Sequence, residues 1–142
     1  MIKSTPAPKM RHPSLIFVTY VYAAVLAGLA VVQLMGLGGF DFAHIVYETP
    51  GLPVLTIIIA SLEIFAVPFL LRLPLSLLAR FFSAIFTLVA PLFILANYVY
   101  IVADTGVALD WFSILGAIFL VPFGVLCFVA LDGQRAVCFS KK

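Results

Sequence analysis

The run Leu52–Leu71, LPVLTIIIASLEIFAVPFLL, decides the fold. It is continuous and apolar, and its length matches the roughly 20 residues that a helix needs to cross a bilayer. One ionisable residue, Glu63, stands near its centre. Arg72 follows it directly, and the acidic loop bearing Asp41 and Glu48 leads into it.

Working outward, the whole chain shares this character. Of 142 residues, 65% are hydrophobic and 10% charged. A soluble domain of that size would leave much of its apolar surface in water, so the bilayer is expected to be the solvent for much of this one. Fourteen Phe and five Tyr suit lipid-facing and interfacial positions. The net charge of +2 carries no nucleic-acid signal, because the few basic residues all fall outside the apolar runs. Cys127 and Cys138 form no CxxC pair and have no His at metal-ligand spacing, so both read as free thiols.

The reading is an all-α polytopic membrane protein, an antiparallel bundle of four transmembrane helices at about 14–36, 52–71, 77–103 and 111–131. Residues 1–13 form a basic arm with Lys3, Lys9 and Arg11, and residues 133–142 a tail. Leu15–Leu37 is too long for a signal-peptide core and is expected to stay as the first helix, with Ser14 as its cap. Ala24 and Gly28 in that helix have small-xxx-small spacing, which lets helices approach closely in lipid. Gly36, Gly38 and Gly39 end it. Pro68, Pro91 and Pro122 lie inside helices 2, 3 and 4. Each proline lacks the N–H that would bond four residues back, so Pro68 frees the Ile64 carbonyl and Pro91 the Thr87 carbonyl.

Charge placement gives the orientation. Lys3, Lys9 and Arg11, then Arg72 and Arg80, then Arg135, Lys141 and Lys142 fall on one side of a four-span chain. Asp41, Glu48, Asp104 and Asp110 fall on the other. The positive-inside rule puts both termini in the cytoplasm, and a bacterial inner membrane is the expected location.

Glu63 is the sharpest candidate site. A charged, unpaired carboxylate at bilayer depth costs several kcal/mol, so Glu63 is expected to be neutral or turned toward a partner. Counting at about 1.5 Å per residue puts it level with Thr87–Pro91 of helix 3, which makes the Thr87 carbonyl and hydroxyl its expected acceptors. A proton relay, a quinone headgroup contact and interhelical glue are the readings of such a group. Gln33 and Asn97, toward the outer ends of helices 1 and 3, form an expected interhelical amide pair. Asp41, His44 and Glu48, at i, i+3 and i+7, share one face of any short helix in their loop and could hold a divalent cation, with Asp104 or Asp110 nearby. Arg72 and Arg80 are expected to meet lipid phosphates. No phosphate loop, dinucleotide fingerprint, catalytic triad or haem-ligand pattern is present in the sequence.

The four spans, the stretch Ser61-Leu62-Glu63-Ile64-Phe65-Ala66, the following Leu70-Leu71, and Arg80 opening the third helix resemble the DoxX-like superfamily, which includes the MauE proteins. That resemblance implies a redox-associated inner-membrane protein: a quinone-linked subunit or a helper in periplasmic redox maturation. Glu63 and Arg80 are the residues that map onto the pattern. A small residue, often Gly, usually follows the Glu in such families; here Ala66 or Val67 holds that place, followed by Pro68.

The resulting expectation is a non-catalytic integral accessory subunit, surrounded by lipid and packed against other membrane subunits or its own copies. A small oligomeric transporter or channel using Glu63, and a quinone-binding oxidoreductase component, are the alternatives.

Overall fold

A computed structural model describes residues 13–37, 52–105, 111–131 and 133. Among them the chain is all-α. A 3₁₀ turn, Pro13–Leu15, leads into α1, Ile16–Leu37. Then come α2, Leu52–Leu70, α3, Leu77–Thr105, and α4, Trp111–Ala130. Each helix packs on the next in chain order, and α4 returns to α1 along a less extensive seam. This is a four-helix bundle in which α1 and α3 lie diagonally opposite.

The α2–α3 turn shows why the helices end where they do. Arg72 N donates to Phe69 O at 3.0 Å and Leu73 N to Pro68 O at 3.0 Å. This paired pattern is a Schellman motif, and it places Arg72 in the left-handed region with φ 58°. Glycine is the usual occupant of that position. Arg72→Gly is therefore expected to raise bundle stability in detergent by about 1 kcal/mol, read as a higher unfolding midpoint. Ser76 caps α3, its Oγ accepting from Ala79 N at 3.2 Å.

The buried stripes follow helical spacing. In α1 they are Thr19, Tyr22, Ala23, Leu26 and Ala30, and in α2 Thr56, Ile59, Ala60, Glu63, Ala66 and Phe69. In α3 they are Ser83, Ala84, Thr87, Ala90 and Ile94, and in α4 Ala117, Cys127 and Ala130. The many alanines let backbones come close. The polar residues Thr19, Glu63, Ser83 and Thr87 are inside, while Phe17, Val54, Phe65, Leu78, Val99 and Phe119 are outside. Such a surface is the reverse of a water-soluble one. Among the described residues, Ile16–Met35 of α1 and Leu77–Tyr100 of α3 are long and apolar enough to cross a membrane. Val54–Leu70 and Leu115–Ala130 are shorter apolar helices.

The small-residue pair of α1 points outward. Ala24 and Gly28 do not pack against the other helices of the bundle; both are exposed, and a Cβ on Gly28 would find nothing within 4 Å. Ala23 and Ala30 are the small residues of α1 that turn inward.

α2 and α3 are pinned by Ser83. Its hydroxyl donates to Phe65 O at 2.6 Å and accepts from Phe69 N at 3.1 Å. Those two groups are i and i+4 of α2, so a side chain of the neighbouring helix stands at a rung of the ladder beside Pro68. Ser83→Ala removes this bridge between the helices and leaves Phe65 O and Phe69 N to pair only with each other along α2. The expected loss is about 1 kcal/mol, measured by unfolding in detergent, and Ser83→Thr should keep most of the bridge.

Candidate functional site

Glu63 lies on the same stripe as Ile59, Ala60 and Ala66, so the helix that buries those residues must bury it too. It is 0% exposed. Its partner comes from α1: Gln33 Nε2 donates to Glu63 Oε1 at 3.0 Å. Gln33 is half-buried, one helical turn from the end of α1, and continues the stripe of Leu26 and Ala30. Tyr22 of α1 and Tyr98 of α3 stand near Glu63.

Two expected contacts are corrected. Glu63 does not bond to Thr87. The Thr87 carbonyl, left free by Pro91, accepts from the Tyr22 hydroxyl at 3.2 Å, and the Thr87 hydroxyl donates to Ser83 O at 3.0 Å. Depth was not the error, for the Ser83 bonds to Phe65 and Phe69 put Glu63 and Thr87 at one level. What differs is direction: Glu63 turns to α1, and the long phenol of Tyr22 crosses the diagonal to fill the carbonyl. Gln33 does not pair with Asn97 either. Neither Gln33 Oε1 nor Asn97 Oδ1 has a hydrogen-bond partner among the described residues. α1 and α3 are not neighbours, so an amide on one is too short to meet an amide on the other.

Tyr22 and Gly124 are the residues that sequence reasoning missed. A Cβ on Gly124 of α4 would stand 2.8 Å from Thr87 O, 2.9 Å from the Tyr22 hydroxyl and 3.3 Å from Pro91 Cγ. Three helices therefore meet at one hydrogen bond. The signal was the carbonyl freed by Pro91, which demanded a donor; Tyr22 was counted only among the aromatic residues suited to lipid-facing and interfacial positions.

Arg72 and Arg80 are both half-buried at the α2–α3 turn end of the bundle. Beside them an apolar groove of about 390 Å³ runs between α2 and α3, lined by Phe65, Pro68, Leu75, Ala79, Phe82 and Phe86, with Ser83. Asp41, His44, Glu48 and Asp110 lie outside the described residues. Among the described residues there is no group of three His, Cys, Asp or Glu side chains placed to hold a metal ion.

No family model, no curated protein and no solved structure matches this chain.

Proposed function

We propose that this chain is a small integral membrane protein whose four helices all cross the bilayer, with both termini on the cytoplasmic side. In this reading it is a non-catalytic subunit that packs against a larger membrane complex. The outward Ala24–Gly28 pair carries the argument. Small residues at that spacing are useful where another helix comes close. Among the described residues no helix of this chain fills that place, since nothing there lies within 4 Å of a Cβ on Gly28. The outward apolar side chains fit a lipid or protein surround, and the grouping of every Lys and Arg on one side fits the orientation. Arg72 and Arg80 then sit at the cytoplasmic headgroups, with lipid chains against the neighbouring groove. The resemblance to DoxX-like proteins makes a redox complex the first place to look for the partner.

Gly28→Leu tests the reading. The isolated bundle should fold with an unfolding midpoint no lower than that of the unaltered chain, because a Cβ at this position meets nothing within 4 Å among the described residues and leucine gains helix propensity over glycine. Mild-detergent purification of the unaltered protein from its native membrane should bring down a stoichiometric partner, and Gly28→Leu should lose it at least tenfold. An unaltered protein that runs alone would overturn the proposal.

A further inference from the structure

The Gln33–Glu63 pair is one hydrogen short of a closed arrangement. Gln33 Nε2 donates to Glu63 Oε1 at 3.0 Å. The second oxygen of each group, Gln33 Oε1 and Glu63 Oε2, is buried and has no hydrogen-bond partner among the described residues. An amide oxygen and a carboxylate oxygen offer lone pairs only. The two groups are already joined by one bond, so rotation of the two side-chain ends can bring their unfilled oxygens together. Two unfilled acceptors buried together are costly, and a single donor between them satisfies both. A carboxylic acid and a primary amide are complementary in this way, since each presents one donor beside one acceptor.

We propose that Glu63 is a proton-binding residue. Its protonated carboxyl and the Gln33 amide form a two-bond clasp between α1 and α2: Gln33 Nε2–H to Glu63 Oε1, and Glu63 Oε2–H to Gln33 Oε1. Release is a simple dissociation, with the O–H bond breaking and the proton leaving to water while the electron pair stays on Oε2. What remains is one hydrogen bond and two buried acceptors without a donor, so the α1–α2 contact loosens.

The surroundings suit this. Among the described residues, the titratable groups near the pair are Tyr22 on α1, Tyr98 on α3 and, beside Tyr22, Cys127 on α4. None is a base that would hold a carboxylate, and Gln33 is the hydrogen-bonding neighbour of Glu63. Gln33 is only half-buried and stands near the end of α1, whereas Glu63 is fully covered. The amide therefore lies on the proton's short way out. The inference rests on the bundle interior and is independent of any partner, so loss of the partner proposal leaves it standing.

Infrared spectroscopy of the purified full chain is the direct test. The unaltered protein should show a protonated-carboxyl C=O band at neutral pH. E63Q should lack it, and Q33L should move it to higher frequency as the clasp bonds are lost. The stability arm is thermal unfolding against pH. A proton held by the folded state and released on unfolding stabilises at low pH, and that stability is lost as pH rises through the range where the band disappears. E63Q should be flat across that range, because the new amide supplies its own N–H to Gln33 Oε1. This second arm keeps the test valid if Q33L does not fold. Absence of a Glu63-dependent band at neutral pH, a band unmoved in Q33L, or stabilisation by sodium at fixed pH that E63Q abolishes would overturn the proposal; the last would mean that the carboxylate holds a metal cation.

Discussion

Gly124→Ala is expected to destabilise the bundle, whereas Gly116→Ala, eight residues earlier on the same helix, is expected to stabilise it. Both substitutions gain helix propensity, about 0.8–1 kcal/mol relative to glycine. At Gly116 that gain stands alone, because a new Cβ finds nothing within 4 Å. At Gly124 the Cβ would arrive 2.8 Å from Thr87 O and 2.9 Å from the Tyr22 hydroxyl. The Thr87 oxygen is backbone and cannot swing away, so α3 and α4 must separate. Overpacking of this kind costs about 1–3 kcal/mol. Displacing the phenol also loses the bond to Thr87 O, about 1 kcal/mol more, and leaves the Pro91-freed carbonyl without a partner. The clash outweighs the propensity, and the expected net loss is about 1–3 kcal/mol in unfolding midpoints measured in detergent. Tyr22→Phe separates the two contributions. It removes the hydroxyl, so Gly124→Ala in that background should cost about 1 kcal/mol less than in the unaltered chain. Equal effects at Gly116 and Gly124 would show that α3 and α4 do not approach as described.

Depth along the chain was legible in the sequence, and direction around each helix was not. Long apolar runs mark the helices, because length is a local property. Rise per residue placed Glu63 level with Thr87, a register that the Ser83 bonds to α2 bear out. Which neighbour a side chain faces depends on the order of helices around the bundle, and no single helix encodes that. The Gln33–Asn97 pairing failed for this reason, since it assumed contact between helices that sit diagonally. Ala24 and Gly28 show a related limit. Small residues mark a surface of close approach, but they do not say whether the approaching helix belongs to the same chain. Tyr22 shows the complementary case. A side chain long enough to cross the diagonal makes a contact that neighbour order alone forbids.

Gln33→Leu is expected to cost more than removing the whole pair. Leucine is close to glutamine in volume, so packing changes little, but Glu63 is left fully buried with neither oxygen bonded among the described residues. A buried polar group stripped of its partner costs about 1–3 kcal/mol even when neutral, and a carboxylate stripped of its partner about 3–5 kcal/mol. The single substitution should therefore lower stability by about 1–3 kcal/mol while the acid keeps its proton, and by more as pH rises and the carboxylate forms. Glu63→Leu alone leaves the Gln33 amide unpaired, yet Gln33 is half-buried and can turn its head outward, so its loss should be the smaller. Gln33→Leu with Glu63→Leu removes both polar groups and leaves apolar surfaces of similar shape facing each other, an exchange that is often neutral or stabilising. The expected order of unfolding midpoints is the double variant and the unaltered chain highest, Glu63→Leu next and Gln33→Leu lowest, with the gap below the unaltered chain widening at alkaline pH only for Gln33→Leu. A double variant as unstable as Gln33→Leu would mean that Gln33 contributes through packing, and that Glu63 is not held by its amide.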